Sequence, residues 1–399
     1  MTHTPHVVIA GAGLGGLAAA LALLKAGIDV DVYEQAPALR EVGAGVQVSA
    51  NGTRVLYALG LGDALAELAW QPKGKELRLW NTGETWPMFD LGTESIERYG
   101  FPYLTFHRAD LHEVLAAAVK REKADAIHLG AKAVGCEQDG AGATLLLQGG
   151  ERVRGDVLIG ADGVHSAIRQ ALFGPDQPKF TGCIAWRGVI PRERLPEHLL
   201  RPAGTNWVGP GGHVVHYFLR RGALLNFVGI REGSDWTVES WITAGTVEEC
   251  LADFVGWHQD IQTLIRNIDT PYKWALKVRE PMPKWSVGRI TLLGDACHST
   301  LPFMAQGAVM AIEDGYILMR CLKNCDGDVA GALTRYETAR HDRTSRVVHG
   351  SAGMTEQFHN PELADHAKAV AFMARQWQPE RIRERYEWLF SYDATSVPI

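Results

Sequence analysis

The sequence predicts an α/β fold, a mostly parallel sheet wound with helices and carrying a second sheet layer. Three observations predict it. A short apolar run at the start of the chain, "HVVIA", leads through the glycine turn "GAGLGG" into the helix-forming stretch "LAAALALLKAG". Two later apolar runs end in the same manner, in "RGDVLIGADGVHSAIR" and "GRITLLGDACHS". Between those two runs the texture changes to strict alternation, which is the signature of strands with one face buried.

The opening segment is apolar enough to raise membrane readings. A secretory leader needs a basic start, yet "MTHTPH" has no Lys or Arg, and no small-residue cleavage pattern follows. A spanning helix would be weakened by the clustered glycines and is closed by Lys25. The order of strand, glycine turn and helix instead matches a Rossmann-like dinucleotide site. Gly11 permits the tight turn, Gly13 lets the backbone approach a pyrophosphate, and Gly16 lets helix and strand pack closely. Phosphates would rest on the helix N-terminus, where free N–H groups and the helix dipole favour negative charge. A second strand, "DVDVYE", ends in Glu34, about where an acidic residue meets a ribose hydroxyl in this motif.

The two later strand ends bear on which dinucleotide binds. Asp162 and Asp295 each follow an apolar strand. Asp295 is placed to accept hydrogen bonds from a polyol such as a ribityl chain, for which a bare NAD site has no need. The chain resembles the single-component FAD monooxygenases that hydroxylate aromatic rings, typified by salicylate hydroxylase and 3-hydroxybenzoate 6-hydroxylase. The likeness rests on "GAGLGG" with Glu34, on "GADGVHSAIR" and on "GDACHSTLPFMAQGAVMAIEDG", in family order across nearly the whole chain.

That resemblance implies a p-hydroxybenzoate hydroxylase-like fold with non-covalent FAD. Gln47 and Arg108 match positions that contact the flavin, and Asp295 matches the residue that holds the ribityl chain. Pro302 and Phe303 fall where the backbone passes the isoalloxazine and the substrate pocket. Gly307 and Ala308, opening a helix, would present N–H groups to the flavin pyrimidine carbonyl. Asp162 belongs either to ligand contact or to the scaffold of its turn, and Arg108, read without the resemblance, is a residue at a helix start. The implied chemistry is reduction of FAD by NADH or NADPH, addition of dioxygen at flavin C4a, and attack of the distal oxygen of the hydroperoxyflavin on the ring.

The intervening block supplies the substrate layer. "CIAWRGVI", "GGHVVHYFLR" and "ALLNFVGIR" read as strands, with "RRGA" as a turn, and "ELRLWNTGETWPMFDL" reads as a further hairpin. "TVEECLADFVGWHQDIQTLIRNI" reads as one amphipathic covering helix, and "RQWQPERIRERYEWLFSYDA" as a final helix and tail. The FAD-binding domain is expected over 1–75, 101–180 and 276–350, the substrate sheet over 76–100 and 181–275, and a C-terminal helix and tail over 351–399. In "HVVHYFL" the period of two puts His213, Val215 and Tyr217 on one face. If that face lines the pocket, His213 accepts a phenolic proton and Tyr217 positions or relays it; otherwise both are satisfied polar residues on a half-exposed sheet. Resemblance to hydroxylases with a His-x-x-x-Tyr pair on this strand favours the catalytic role.

Composition narrows the partners. A net charge of -6 gives no general attraction to nucleic acid or anionic lipid. Six scattered cysteines without a C-x-x-C pair suit free thiols in a cytoplasmic protein, and Cys321 and Cys325, one helical turn apart, read as helix residues rather than metal ligands. No metal site is expected, and the protein is expected as a monomer or homodimer. The function expected is hydroxylation of a small phenolic carboxylate, with a 6-hydroxynicotinate-type heteroaromatic acid or a non-hydroxylating FAD reductase as alternatives. Arg187 and Arg220 are candidates for the substrate carboxylate, and His298 is either structural or catalytic. Two departures stand out: His298 is followed by Ser299 where many relatives have proline, and Gln47 and Phe303 stand where hydroxynicotinate hydroxylases carry histidines.

Overall fold

The computed structural model describes residues 5–39, 45–233 and 243–399. The three strands read from the sequence as ending in glycine or aspartate turns lie side by side, His6–Ala10 next to Val157–Gly160 and that next to Ile290–Leu292. Asp29–Glu34 and Ile127–Leu129 extend the sheet on one side and Ser286–Val287 on the other. All the pairings are parallel except that of the edge strand Ser286–Val287. Helices cover a parallel sheet on both faces, which is why its strands are apolar throughout rather than alternating. All three turns therefore open at one end of one sheet, the position at which open α/β sheets hold ligands.

The first helix, Leu14–Lys25, is buried from Leu14 to Leu23 because a second helix, Gly307–Lys323, crosses it. Small residues set that distance. A Cβ on Gly15 would lie 2.8 Å from the Ala311 Cβ, and one on Gly315 would lie 2.7 Å from the Ala19 nitrogen. The crossing fixes both helix N-termini at the same cleft.

The second sheet has seven strands, in the order Tyr272–Val278, Lys179–Pro191, Leu224–Glu232, Gly212–Leu219, Ala203–Gly209, Gly74–Leu79 and Thr85–Asp90. Its two faces follow from period-two alternation. The outer face carries Trp186, Trp207, Val214, Phe218 and Phe227 and packs on Phe254, Ile261 and Leu264. The inner face carries Leu79, Val208, Ala185 and Ile230, which pack with Phe303, Phe358 and residues of the C-terminal helices. The tight turn Arg220–Gly222 is present, with Arg220 and Arg221 in the left-handed region at φ 48° and 54°.

Two element readings need correction. The covering segment is two helices, Val247–Asp253 and Gln259–Arg266, because Gly256 takes φ +82° and His258 starts the second helix by accepting from the Asp260 N–H. The end of the chain is more helical than expected. Residue 351 lies inside a 30-residue helix, Val329–Phe358, which is followed by His366–Gln376 and Pro379–Phe390. The stretch "RQWQPERIRE" is broken at Pro379, which is tolerated at the first position of a helix but not inside one. A three-stranded sheet, Ala133–Gln138 with Ala143–Leu147 and Arg152–Gly155, was not foreseen.

Candidate active site

A cleft of about 340 Å³ runs from the first glycine turn, between the two helix N-termini, to the inner face of the seven-stranded sheet. It is lined by most of the residues singled out in the sequence, among them Gly13, Gly16, Gln47, Arg108, His213, Tyr217, Asp295, Pro302, Phe303, Gly307 and Ala308. Gly11, Glu34 and Asp162 stand behind the lining.

The glycines divide the work as their positions require. Gly11 has φ +104°, and a Cβ there would lie 2.4 Å from the Ala161 carbonyl oxygen. A Cβ on Gly16 would lie 2.1 Å from the Gly11 oxygen, so that glycine is needed for packing. Around Gly13 nothing lies within 4 Å of such a Cβ, which leaves open space at the helix start. Neither Leu14–Lys25 nor Gly307–Lys323 has an acidic residue in its first turn or a side-chain cap, so the N–H groups of both ends are left for an anionic or carbonyl ligand. The exposed Asp295 lines the cleft between them. This cradle fits FAD: open backbone at one helix start for the pyrophosphate, a carboxylate for the polyol and a second helix start for the ring.

Glu34 and Asp162 hold loops. Glu34 accepts from the Ala12 and Ala36 N–H groups, both at 2.8 Å, and so ties the second strand to the glycine turn. A carboxylate has further lone pairs for a ribose hydroxyl. Asp162 accepts from Ser166 Oγ at 2.5 Å and from the Ala167 N–H at 2.7 Å, which fixes the start of the helix Ala167–Phe173. His298 is buried, bonded through Nε2 to Asp314 at 2.7 Å, and Asp314 also accepts from the Gly294 N–H. The pair locks the Asp295 turn onto the helix Gly307–Lys323, and His298 does not line the cleft.

The sheet registers three rows on the inner face. Lys75 is paired with Gly204, a Cβ on Gly204 would lie 3.9 Å from the Tyr217 Cβ on the neighbouring strand, and Tyr217 pairs with Asn226. The next row holds Leu77, Asn206, Val215, Val228 and Arg187, and the third holds Leu79, Val208, His213, Ile230, Ala185 and Trp274. Gln47, held in the cleft by the pairing of Gly45–Val48 with Leu104–His107, accepts from the Tyr103 hydroxyl at 2.9 Å and hydrogen-bonds the Tyr217 phenol oxygen. Burial holds that phenol well above its ordinary range.

Arg220 is withdrawn as a carboxylate candidate: it forms a bidentate pair with Asp110 at 2.8 and 2.7 Å at the far end of its strand and does not line the cleft. Arg187 does line it, buried, with its guanidinium 5.4 Å from the Trp274 ring. Sequence reasoning missed Lys75, which lines the cleft 9 % exposed and has no carboxylate partner among the described residues. Burial pushes its ammonium down to about 8. The signal was available, because alternation in "KELRL" puts Lys75 on the face of Leu77 and Leu79. Asn206 Oδ1 and Ser299 Oγ also line this cleft and are buried without a hydrogen-bond partner among the described residues.

His213 was foreseen, but its partners were not. Its Nδ1 lies 2.6 Å from His359 Nε2, and His359 Nδ1 lies 2.6 Å from Glu232 Oε1. The Phe303 ring stands edge-on to His213 at 4.8 Å. Ligand atoms of Cys183, Glu232 and His359 fall within 4.8 Å of one another, as do those of His6, Asp29 and Asp31. Cys321 and Cys325 are buried in the core as free thiols.

The chain, compared with known proteins, matches a family model described as an FAD binding domain over residues 4–351. It belongs to the FAD-dependent aromatic-ring monooxygenases. The 3-amino-4-hydroxybenzoate 2-monooxygenase PtnB3 of Streptomyces platensis is 37% identical over 99% of this chain and 98% of its own length. The 6-hydroxynicotinate 3-monooxygenase of Pseudomonas fluorescens is 36% identical over 100% of this chain and 98% of its own. Among solved structures, Klebsiella pneumoniae HpxO complexed with FAD and uric acid superposes with a TM-score of 0.83 at 29% identity, covering 98% of this chain and 97% of that one. No helix among the described residues is long and apolar enough to cross a membrane.

Proposed function

We propose that this monooxygenase hydroxylates a small phenolic carboxylate, with NADH or NADPH as reductant. The observation that carries the reading is the inner sheet face, where Lys75, buried and without a carboxylate partner among the described residues, shares one cleft with the imidazole of His213 and the phenol of Tyr217. Bound FAD supplies the activation of dioxygen; binding, orientation and proton handling fall to the chain. Lys75 takes the carboxylate as a charge-assisted pair in a low-dielectric site. His213 accepts the phenol proton, since a phenolate is the better nucleophile, and Tyr217 donates a hydrogen bond to the oxygen left behind. Phe303, Val228, Ile230 and Trp274 present apolar surface to the ring and exclude water. The glycine turn, Gln47, Arg108, Asp295 and the N–H groups of Gly307 and Ala308 hold the cofactor.

A second reading, an N-heteroaromatic acid, draws on the 6-hydroxynicotinate relative. On the family resemblance, which implies histidines at these two positions in hydroxynicotinate hydroxylases, Gln47 and Phe303 favour the benzenoid class. The test is a panel of salicylate, 3-hydroxybenzoate, 3-amino-4-hydroxybenzoate and 6-hydroxynicotinate with FAD-loaded enzyme, NADH or NADPH, and isotopically labelled dioxygen. One labelled oxygen in a phenolic product, matched to reductant consumed, is expected. Label only in the hydroxynicotinate product selects the second reading, and reductant consumption with label in no product overturns both. Release of carbon dioxide separates decarboxylating from simple hydroxylation.

A further inference from the structure

We infer that His359 and Glu232 form the exit for the proton that His213 takes from the substrate hydroxyl, connecting a buried base to solvent. The inference rests on the reading of His213 as the base.

The chain of contacts has a fixed direction. An ionised carboxylate can only accept, so the hydrogen between Glu232 and His359 is on His359 Nδ1. A neutral imidazole has one donor and one acceptor, so His359 Nε2 carries a lone pair. That lone pair faces His213 Nδ1 at 2.6 Å, which must then carry the hydrogen, leaving His213 Nε2 as an acceptor for the cleft. One surface carboxylate thus sets the tautomer of a buried base two residues away. The same turn pins both links, because the Gly211 N–H donates to the His359 carbonyl and the Glu232 N–H donates to the Gly211 carbonyl.

His213 cannot stay doubly protonated. It is 2 % exposed among Phe303 and Phe358, and burial, with His359 and Lys75 adding to it, holds its proton affinity well below that of a free imidazole. His359 is also held low by burial, opposed by Glu232 and reinforced by Arg231, with the Cys183 thiol nearby. Glu232, with a side chain 44 % exposed, is where the chain reaches water. The transfer balances: the substrate O–H breaks as His213 Nε2–H forms, His213 Nδ1–H passes to His359 Nε2, His359 Nδ1–H passes to Glu232, and Glu232 releases one proton to water. The substrate is left as phenolate and both imidazoles are left in the opposite tautomer. When product phenolate takes a proton back from His213 Nε2, each link reverses and the starting tautomers return.

The test compares FAD-loaded wild type with His359→Leu, His359→Gln, Glu232→Gln and Glu232→Asp. Without reductant, 3-hydroxybenzoate and 3-amino-4-hydroxybenzoate are mixed with each protein, and ligand ionisation is followed by ultraviolet difference spectra and proton release by an indicator dye. Expected for both His359 variants is unchanged ligand affinity with ionisation and proton release slowed roughly 10- to 100-fold. In turnover kcat falls in parallel at constant KM, and added imidazole restores part of it. Glu232→Gln shows a smaller loss of the same kind, and Glu232→Asp recovers. Ionisation and turnover at wild-type rates in both His359 variants overturn the inference, as does a loss that imidazole leaves untouched in folded, FAD-loaded protein. If wild type itself binds these acids without ionising them, the reading of His213 falls first, and the two failures are told apart by that control.

Discussion

Burial of Lys75 works against folding and for binding at once, and the two effects separate by mutation. Its ammonium is pushed down to about 8, whereas in the unfolded chain it titrates near the ordinary 10.5. Below pH 8 the charged group is buried, with no carboxylate partner among the described residues, and that penalty disappears as pH rises from 8 through 10.5. Lys75→Met should therefore stabilise the ligand-free protein by roughly 1–3 kcal/mol at pH 7, a gain that fades above pH 8, as measured by urea unfolding. The same change should raise KM for a carboxylate substrate roughly 10- to 100-fold, the worth of a charge-assisted contact, and leave a neutral phenol unaffected. In wild type that KM should rise above pH 8; in Lys75→Met it should be flat across the same range. A destabilised Lys75→Met protein with unchanged KM would remove Lys75 from the site. Single residues of this kind were half legible in the sequence. Alternation exposed His213 and Tyr217 as a pair, and would have exposed Lys75 beside Leu77 and Leu79, but no local pattern says which polar residue on a face lacks a partner.

Among elements, the glycine turn was the most legible, because each glycine answers a local backbone demand that sequence spacing records. The structure turns those demands into two separable outcomes. Gly13 has φ -68° with nothing near a built Cβ, whereas a Cβ on Gly16 would lie 2.1 Å from the Gly11 oxygen. Gly13→Ala should keep the melting temperature of the apoprotein within a degree or two while weakening FAD retention, since only the incoming pyrophosphate meets the methyl. Gly16→Ala should lower both, because helix Leu14–Lys25 must move off its strand; forcing an extra carbon into packed structure costs about 1–3 kcal/mol. Thermal unfolding with and without FAD distinguishes them, and equal behaviour of the two variants would refute the division of roles. Elements whose limits are set by single breakers were less legible. The 246–268 segment has helical periodicity on both sides of Gly256, so the pattern reads through a turn that only the positive φ reveals. The strands Ala133–Gln138 and Ala143–Leu147 are short and joined by a glycine-rich turn, and neither carries a motif.

The molecule as a whole is held by contacts that no window of sequence contains. Gln47 reaches Tyr217, His359 reaches His213 across 146 positions, and Arg340 in the longest helix bonds Asp314 at 2.6 Å, the carboxylate that also holds His298. The motifs predicted that three strand ends would converge, since they belong to one sheet; they could not predict which distant side chains close the cleft from the other side. These buried groups also set how the fold responds to pH. His216 accepts a hydrogen bond from Trp207 Nε1 at 3.1 Å in the outer core, and burial pushes it down to about 3. Its contribution is present above 6.5 and is lost as pH falls from 6.5 toward 3, because the unfolded chain takes up the proton first. His213 and His359 are lowered as well and act with the same sign. His298 has the opposite sign, since Asp314 and the Cys297 beside it hold its proton well above the ordinary range; its stabilisation is complete below 6.5 and lost only as pH rises through that raised value. Asp314, held low by His298 and Arg340, is constant above about 4. Between pH 6.5 and 5, then, the lowered histidines alone among these groups change the balance. Stability from urea unfolding should fall across that window, with about 2 kcal/mol of the loss at pH 5 due to His216. His216→Gln keeps an acceptor for Trp207 without a titrating group, so it should flatten the slope by that amount. A slope identical in wild type and His216→Gln would show that the outer core admits the proton, and that the sheet is not closed on that face.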